Sequence, residues 1–219
     1  LEITLLDFLG DLASNPILLI TTILIAGSII VNGATDASNA IASAIATRSI
    51  KADHALMMAA CGNFLGLVGM TFISTAIADT ISGMVNFGGD SHAALIALAA
   101  AMVSVIVWGA VAWAFGIPTS QSHSLIAGLT GAAIALQSGF SGINWAEWMK
   151  VIYGLIVSTV MGFGLGWGIG KLIMFLGRHG DRRRLDSKFR WAQVGAAAGL
   201  SFMHGAQDGQ KFLSIALLG

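Results

Sequence analysis

The sequence predicts an all-α polytopic membrane protein. Charge is too sparse for a soluble surface, the apolar residues come in runs long enough to cross a bilayer, and two of those runs carry the same short polar motif. Of 219 residues, 56% are hydrophobic and 10% charged, and mean hydropathy is +0.81. A soluble domain carries about 25% charged residues because its surface must be solvated. Eleven basic and eleven acidic side chains cannot cover a globule of this size. A soluble enzyme, a nucleic-acid binder and a disordered chain are thereby excluded, and the expected surroundings are a lipid bilayer. Short alternating strands, the mark of a transmembrane barrel, do not occur. Formal net charge is zero, so whole-molecule charge points to no partner. A single cysteine, Cys61, excludes an internal disulfide.

The elements follow in order. Residues 1–14 carry Glu2, Asp7 and Asp11 without Lys or Arg, unlike a secretory leader, whose first region is basic. Apolar runs are expected as crossings at 16–47, 55–78, 93–115, 120–137 and 148–176, the major ones long enough for the roughly 20 residues that a spanning helix needs. Asp79 closes the second run, GGDSH at 88–92 opens the third, and a loop at 137–145 opens the last. The segment 120–137 reads either as a full crossing or as a re-entrant hairpin. Glycines 154, 162, 164, 166, 168 and 170 suit close helix packing, and Asn63 an interhelical hydrogen bond. Trp145, Trp148 and Trp191 lie near run ends, where the membrane interface favours them.

Orientation comes from Lys and Arg. Six of the eleven (Arg178, Arg182, Arg183, Arg184, Lys188 and Arg190) fall in 177–190, which is therefore expected to be a basic cytoplasmic loop. Arg48 and Lys51 mark a second cytoplasmic turn. Five crossings, an odd number, place both on one side. The organisation expected is a first repeat over 1–176, the basic loop at 177–190 and the start of a second, inverted repeat over 191–219. The apolar run at the C-terminal end and the leading Leu1 suggest part of a longer protein, with the second repeat truncated.

The shared motif supports inversion. Gly33, Ala34, Thr35 and Asp36 match Gly205, Ala206, Gln207 and Asp208, both reading G-A-x-D after an apolar run. The crossing count enters the first copy from outside and the second from inside, the pattern of an inverted-repeat secondary transporter. A carboxylate at membrane depth costs at least about 2.5–3.5 kcal/mol, so both are expected to face the protein interior. The flanking glycines predict breaks in both helices. A second motif, Gly116 to Ser124, reads GIPTSQSHS. Pro118 predicts a break at 116–119 and a new helix from Ser120. Ser120 and Ser122 beside free helix amides would cradle an oxyanion without a basic side chain, since no Lys or Arg occurs between 52 and 149. His123 is a candidate proton carrier or anion donor. An intramembrane hydrolase built from Ser122, His123 and an Asp is disfavoured, because adjacent helical residues point about 100° apart.

Residues 32–40, NGATDASNA, resemble the first signature of the inorganic phosphate transporter (PiT) family, and residues 204–211, HGAQDGQK, resemble its second. PTSQSH at 118–123 resembles the family's P-x-S-[ST]-[ST]-H. The resemblance implies a phosphate transporter of the plasma or bacterial inner membrane, coupled to Na⁺ or H⁺ by symport with alternating access. It implies no other cofactor and no enzymatic reaction, often a homodimer, and sulfate as the cargo of some members. Carried over by position, Ser120, Gln121 and Ser122 would bind phosphate, with His123 nearby. Asp36, Asn39, Asp208 and Gln210 would form the coupling-ion site, with Na⁺, where sodium couples, held by Asp36, Asn39 and Asp208. Thr35 and Gln207 stand where the family has Asn, and Gln121 where it has a hydroxyl. A second P-x-S-x-x-H hairpin does not occur within the 219 residues, so these residues alone are expected to lack half the anion site and not to transport.

Overall fold

The computed structural model describes residues 5–117, 119–178 and 180–216. These are helical apart from short connections: α1 (Leu5–Ser14), α2 (Pro16–Ala46), α3 (Ala52–Ile73), α4 (Ala76–Gly83), α5 (Ser91–Ala114), α6 (Gln121–Leu136), a 3₁₀ turn at Phe140–Gly142, α7 (Trp145–Gly177) and α8 (Arg182–Ala216). Four of them, α2, α3, α5 and α7, are long and apolar enough to cross a membrane. The all-α membrane fold is as expected.

Local chemistry sets the boundaries. Asn15 caps α2 by accepting from the amides of Ile17 and Leu18 at 3.1 and 3.3 Å, with Pro16 in the first turn where its missing N–H costs nothing. Asp90 caps α5 through His92 N–H at 2.9 Å. Asn144 caps α7 through Ala146 N–H at 3.2 Å. Gly116 ends α5 at φ +63°, a conformation glycine adopts without a Cβ penalty, while Ile117 N–H returns to Ala112 C=O. Ser120 then caps α6. The expected break at 116–119 and restart at Ser120 are observed, and Pro118 itself lies outside the described residues.

Helix directions can be read from pairs of contacts. Thr21 of α2 reaches Leu95 of α5, and Ser28 reaches Met102, each pair 74 positions apart, so α2 and α5 are parallel. Asn32 of α2 meets Asp208 of α8, whereas Thr47, further along α2, meets Gln193, further back in α8. Helices α2 and α8 are therefore antiparallel, as the opposed signatures require. Helix α6 folds back along α5 and ends beside Asn86, near where α5 began. Its 16 residues extend about 24 Å, short of a hydrocarbon core of about 30 Å. The α5–α6 pair thus returns to the end of the bundle where α5 began.

Two cores hold the bundle. The larger joins Ile25, Ile81, Leu98, Met102, Val105, Leu125, Leu129, Phe212 and Ile215. The smaller is built from Ile41 and five alanines, Ala40, Ala44, Ala55, Ala59 and Ala197, whose small side chains bring α2, α3 and α8 close.

Several expectations need correction. Helices α2 and α8 run unbroken through Gly33–Asp36 and Gly205–Asp208. The second signature's glycines serve packing instead. A Cβ on Gly205 would meet the backbone of Asn63, and one on Gly209 the Leu67 side chain at 2.7 Å. From the facing helix, Gly66 presses on the backbone of Phe202 and Ala206. The break occurs at Ser74–Thr75, inside the expected 55–78 crossing, where two residues able to bond their own backbone interrupt the run. Ser74 Oγ accepts from Ala76 N–H at 3.3 Å, and Thr75 Oγ1 donates to Asp79 Oδ2 at 3.0 Å. The basic segment 177–190 is a loop only in part, because α8 begins at Arg182 and an i,i+4 pair joins Arg190 to Asp186 at 3.0 Å. The α7 glycines do not pack: Gly154 and Gly162 through Gly170 have nothing within 4 Å of a built Cβ, and no described residue of α7 is buried. Trp145 and Trp191 are exposed as expected, whereas Trp148 is partly buried and donates to Thr130 at 3.2 Å.

Candidate functional site

Antiparallel packing brings the two signature carboxylates together. Asp36, His204 and Asp208 each present a ligand atom, and these lie within 4.8 Å of one another. Helix spacing explains the set: His204 and Asp208 are i,i+4 on one face of α8, and that face lies on the Asp36 stretch of α2.

Asp208 is the hub. It is 8% exposed. Its Oδ1 accepts from Lys211 Nζ at 2.7 Å and from Ser122 Oγ at 3.4 Å. Its Oδ2 lies 3.1 Å from His204 Nε2 and accepts from Asn32 Nδ2 at 3.4 Å. Lys211 also donates to Ser122 Oγ at 2.6 Å. His204 is held in turn by Asn63 of α3, Nδ1 to Oδ1 at 2.8 Å, so Asn63 is the interhelical hydrogen bond expected and also orients the site. Four buried or half-buried side chains from three helices, α2, α6 and α8, thus converge on one carboxylate, which offsets its desolvation.

Asp36 is half-buried and faces the backbone N–H of Gln121, in the first turn of α6. Both carboxylates therefore point at the start of α6, where free amides and the helix dipole favour negative charge. Between α2, α3 and α8 lies a cavity of about 430 Å³ lined by Asn32, Gly33, Asn63, His204 and Asp208. On the other side of Lys211, a cavity of about 470 Å³ is lined by Thr80, Ser122, His123, Gln207 and Lys211.

The other sequence-predicted residues divide. Ser122 joins the cluster. Ser120 caps α6 by accepting from His123 N–H at 3.4 Å and faces a groove between α5 and α6. Gln121 is 1% exposed, its side chain packed against Gly109 with both amide atoms unpartnered, so it offers the site its backbone and not its side chain. His123 is exposed and lines the 470 Å³ cavity. Asn39 lines a cavity of about 250 Å³ with Asp36, His204 and Gln207. Gln210 is not brought to the carboxylates. Two residues beyond Asp208 it points about 200° away, and its Nε2 donates to Ser74 C=O at the α3–α4 break. The sequence reading gave no role to Asn32, His204 or Lys211. The cradle expected to be neutral holds a lysine, because Lys211 arrives from α8, outside the 52–149 stretch that lacks Lys and Arg.

Four helices long and apolar enough to span a bilayer, packed with a buried carboxylate pair, define a multi-pass integral membrane protein with an internal polar cluster. The sequence pattern of the phosphate transporter family matches residues 32–184, and the chain belongs to that family. It is 35% identical over 203 residues to a probable low-affinity inorganic phosphate transporter of Bacillus subtilis (strain 168), covering 91% of this chain and 60% of that protein. A protein of the same description from Streptomyces halstedii is 34% identical, with 90% of this chain and 91% of the relative covered. A solved structure, described as the sodium-dependent phosphate transporter, superposes with a TM-score of 0.73 at 18% identity, over 93% of this chain and 67% of that one. The last shows a shared fold. The transporter relatives replace the hydrolase reading.

Proposed function

We propose that the protein carries inorganic phosphate across the membrane by cation-coupled symport. The observation that carries this reading is the meeting of Asp36 and Asp208, from antiparallel α2 and α8, at the N-terminus of α6 beside Ser122. The carboxylates and the buried, unpartnered Asn32 Oδ1 form an oxygen-rich set suited to a hard cation such as Na⁺, or to a proton. The α6 amides, Ser122 and Ser120 suit an oxyanion. Cation and anion adjacent to each other neutralise one another where isolated charge is costly. The two signature helices then act as halves of an inverted repeat that rocks to alternate access.

Phosphate is favoured over sulfate because both carboxylates face the anion cradle. A phosphate that retains a proton can donate to a carboxylate, an acceptor-only group, whereas fully ionised sulfate is only repelled. Uptake of labelled phosphate into vesicles holding the full-length protein, with sulfate as competitor and Na⁺ and proton gradients imposed separately, tests the reading. Phosphate uptake driven by one gradient and resistant to sulfate is expected. Equal competition by sulfate would favour a sulfate permease, and gradient-independent flux a channel. The side bearing 177–190 is proposed as cytoplasmic. Single cysteines at 180 and 140, after removal of Cys61, are expected to label from opposite sides.

A further inference from the structure

We propose that Lys211 is an exchangeable counter-ion, which neutralises Asp208 when no coupling cation is bound and turns to phosphate at the α6 N-terminus once a cation has taken Asp208. This rests on the functional reading above and deepens it.

Lys211 stands between the two halves of the site. Its ammonium is 2.7 Å from Asp208 Oδ1 and 2.6 Å from Ser122 Oγ, and its side chain is 17% exposed. It also lines the 470 Å³ cavity that carries Ser122 and His123. Lys150 reaches the same cavity but pairs with Glu147 at 2.6 Å and is 62% exposed. Lys211 is thus the half-buried cation beside Ser122 among the described residues. An anion leaving water for this cavity loses solvation and gains most from a countercharge already desolvated.

The present contacts hold that charge in reserve. Ser122 donates its O–H to Asp208 and accepts from Lys211, so both groups an anion would use are engaged by one carboxylate. A cation on Asp208 repels the ammonium and takes the carboxylate lone pairs. The four-carbon stem of lysine, with its rotatable donors, can swing without moving α8, and released Ser122 can reorient its hydroxyl. The cation therefore frees the anion's ligands, which couples the two bindings through a residue that need not touch the cation.

The test uses the full-length protein in proteoliposomes and in detergent. Two constants are measured: half-saturating phosphate at saturating cation, and half-saturating driving cation without phosphate, the cation being whichever of Na⁺ or H⁺ drives uptake by the unaltered protein. In Lys211→Met, half-saturating phosphate is expected to rise about tenfold or more, the loss of one desolvated charge contact. Half-saturating cation is expected to fall, because Asp208 has lost its internal competitor. Lys211→Arg should bring phosphate back within about threefold. A purely structural lysine would weaken both bindings together, and that result, or unchanged phosphate affinity in Lys211→Met, overturns the proposal. If Lys211→Met does not fold, Lys211→Gln carries the same two expectations. Failure of the unaltered protein to take up phosphate would refute the functional reading, while half-saturating Na⁺ measured in detergent on the unaltered protein and on Lys211→Met would still report whether Lys211 competes for Asp208.

Discussion

The two G-A-x-D copies share a motif and differ in what surrounds it. On α8, Gly205 and Gly209 lie against α3, and Asp208 is enclosed by Asn32, Ser122, His204 and Lys211. On α2, Gly33 meets nothing within 4 Å of a built Cβ, and Asp36 is half-buried opposite a backbone amide. The second copy is both a packing surface and a site. The first is a site on an otherwise open helix face. Sequence symmetry therefore does not make the copies energetically equivalent, and substitutions at matched positions should separate them.

The largest difference is expected at the first motif glycine. In Gly205→Ala the new methyl meets the Asn63 backbone, which cannot move aside as a side chain can. Loss of more than about 4 kcal/mol is expected, the range reached by severe overpacking, and is to be read as absent or aggregated protein on detergent size exclusion. Wild-type yield and melting temperature would show that α3 and α8 separate in the folded protein.

The aspartates come next. Asp208→Asn and Asp36→Asn are both expected to abolish gradient-driven phosphate uptake. They should differ in stability. Asp208→Asn leaves the Lys211 ammonium buried without its counter-ion, which costs about 3–5 kcal/mol when one partner of a buried pair is removed. Asp36→Asn keeps an oxygen that can accept from the Gln121 amide, so its melting temperature should stay near that of the unaltered protein. Equal destabilisation by the two would remove the asymmetry, and normal uptake in either would deny it a place in the ion site.

This contrast also marks what could be read from sequence. Composition and run length give the all-α membrane class, and the opposed motifs give the antiparallel meeting of Asp36 and Asp208, because burying a carboxylate in a bilayer demands a partner. Glycines were harder. Their spacing does not distinguish a helix break from a close approach: Gly205 and Gly209 proved to be packing residues, while the many α7 glycines pack against nothing described. The family resemblance puts Gln210 among the coupling-ion residues, and helical geometry turns it toward Ser74. The contacts of Lys211 with Ser122 and of Asn63 with His204 join residues 89 and 141 positions apart, and sequence spacing does not name such partners. One signal was available: His204 and Asp208 at i,i+4 share a face, and a polar residue beside an intramembrane carboxylate can be expected to meet it.

A smaller effect is expected at Asn63. Asn63→Ala removes the bond to His204 Nδ1 and leaves the ring free to rotate away from Asp208. Interhelical hydrogen bonds in membranes are worth about 0.6 kcal/mol on average and up to about 1.7. A stability loss within that range is expected, with a clear rise in half-saturating cation, because the group next to Asp208 is no longer held. Unchanged cation dependence would reduce Asn63 to packing alone.

The smallest effect is expected at Gly33, the partner of Gly205. Gly33 is helical, and no atom lies within 4 Å of where a methyl would stand. Removing glycine's extra backbone freedom stabilises a helix by about 0.4–1 kcal/mol where alanine fits. Gly33→Ala should therefore melt at the same temperature as the unaltered protein or slightly above it. Uptake is the sharper reading. If α2 remains a continuous helix throughout transport, Gly33→Ala transports normally, and the motif glycine on this side is tolerated rather than required. If α2 opens next to Asp36 in another stage of the cycle, the methyl stiffens that stage, and uptake falls while the melting temperature does not. Stable protein with lost transport would thus locate a hinge at Gly33, and place the helix break expected from the first signature in a conformation other than this one.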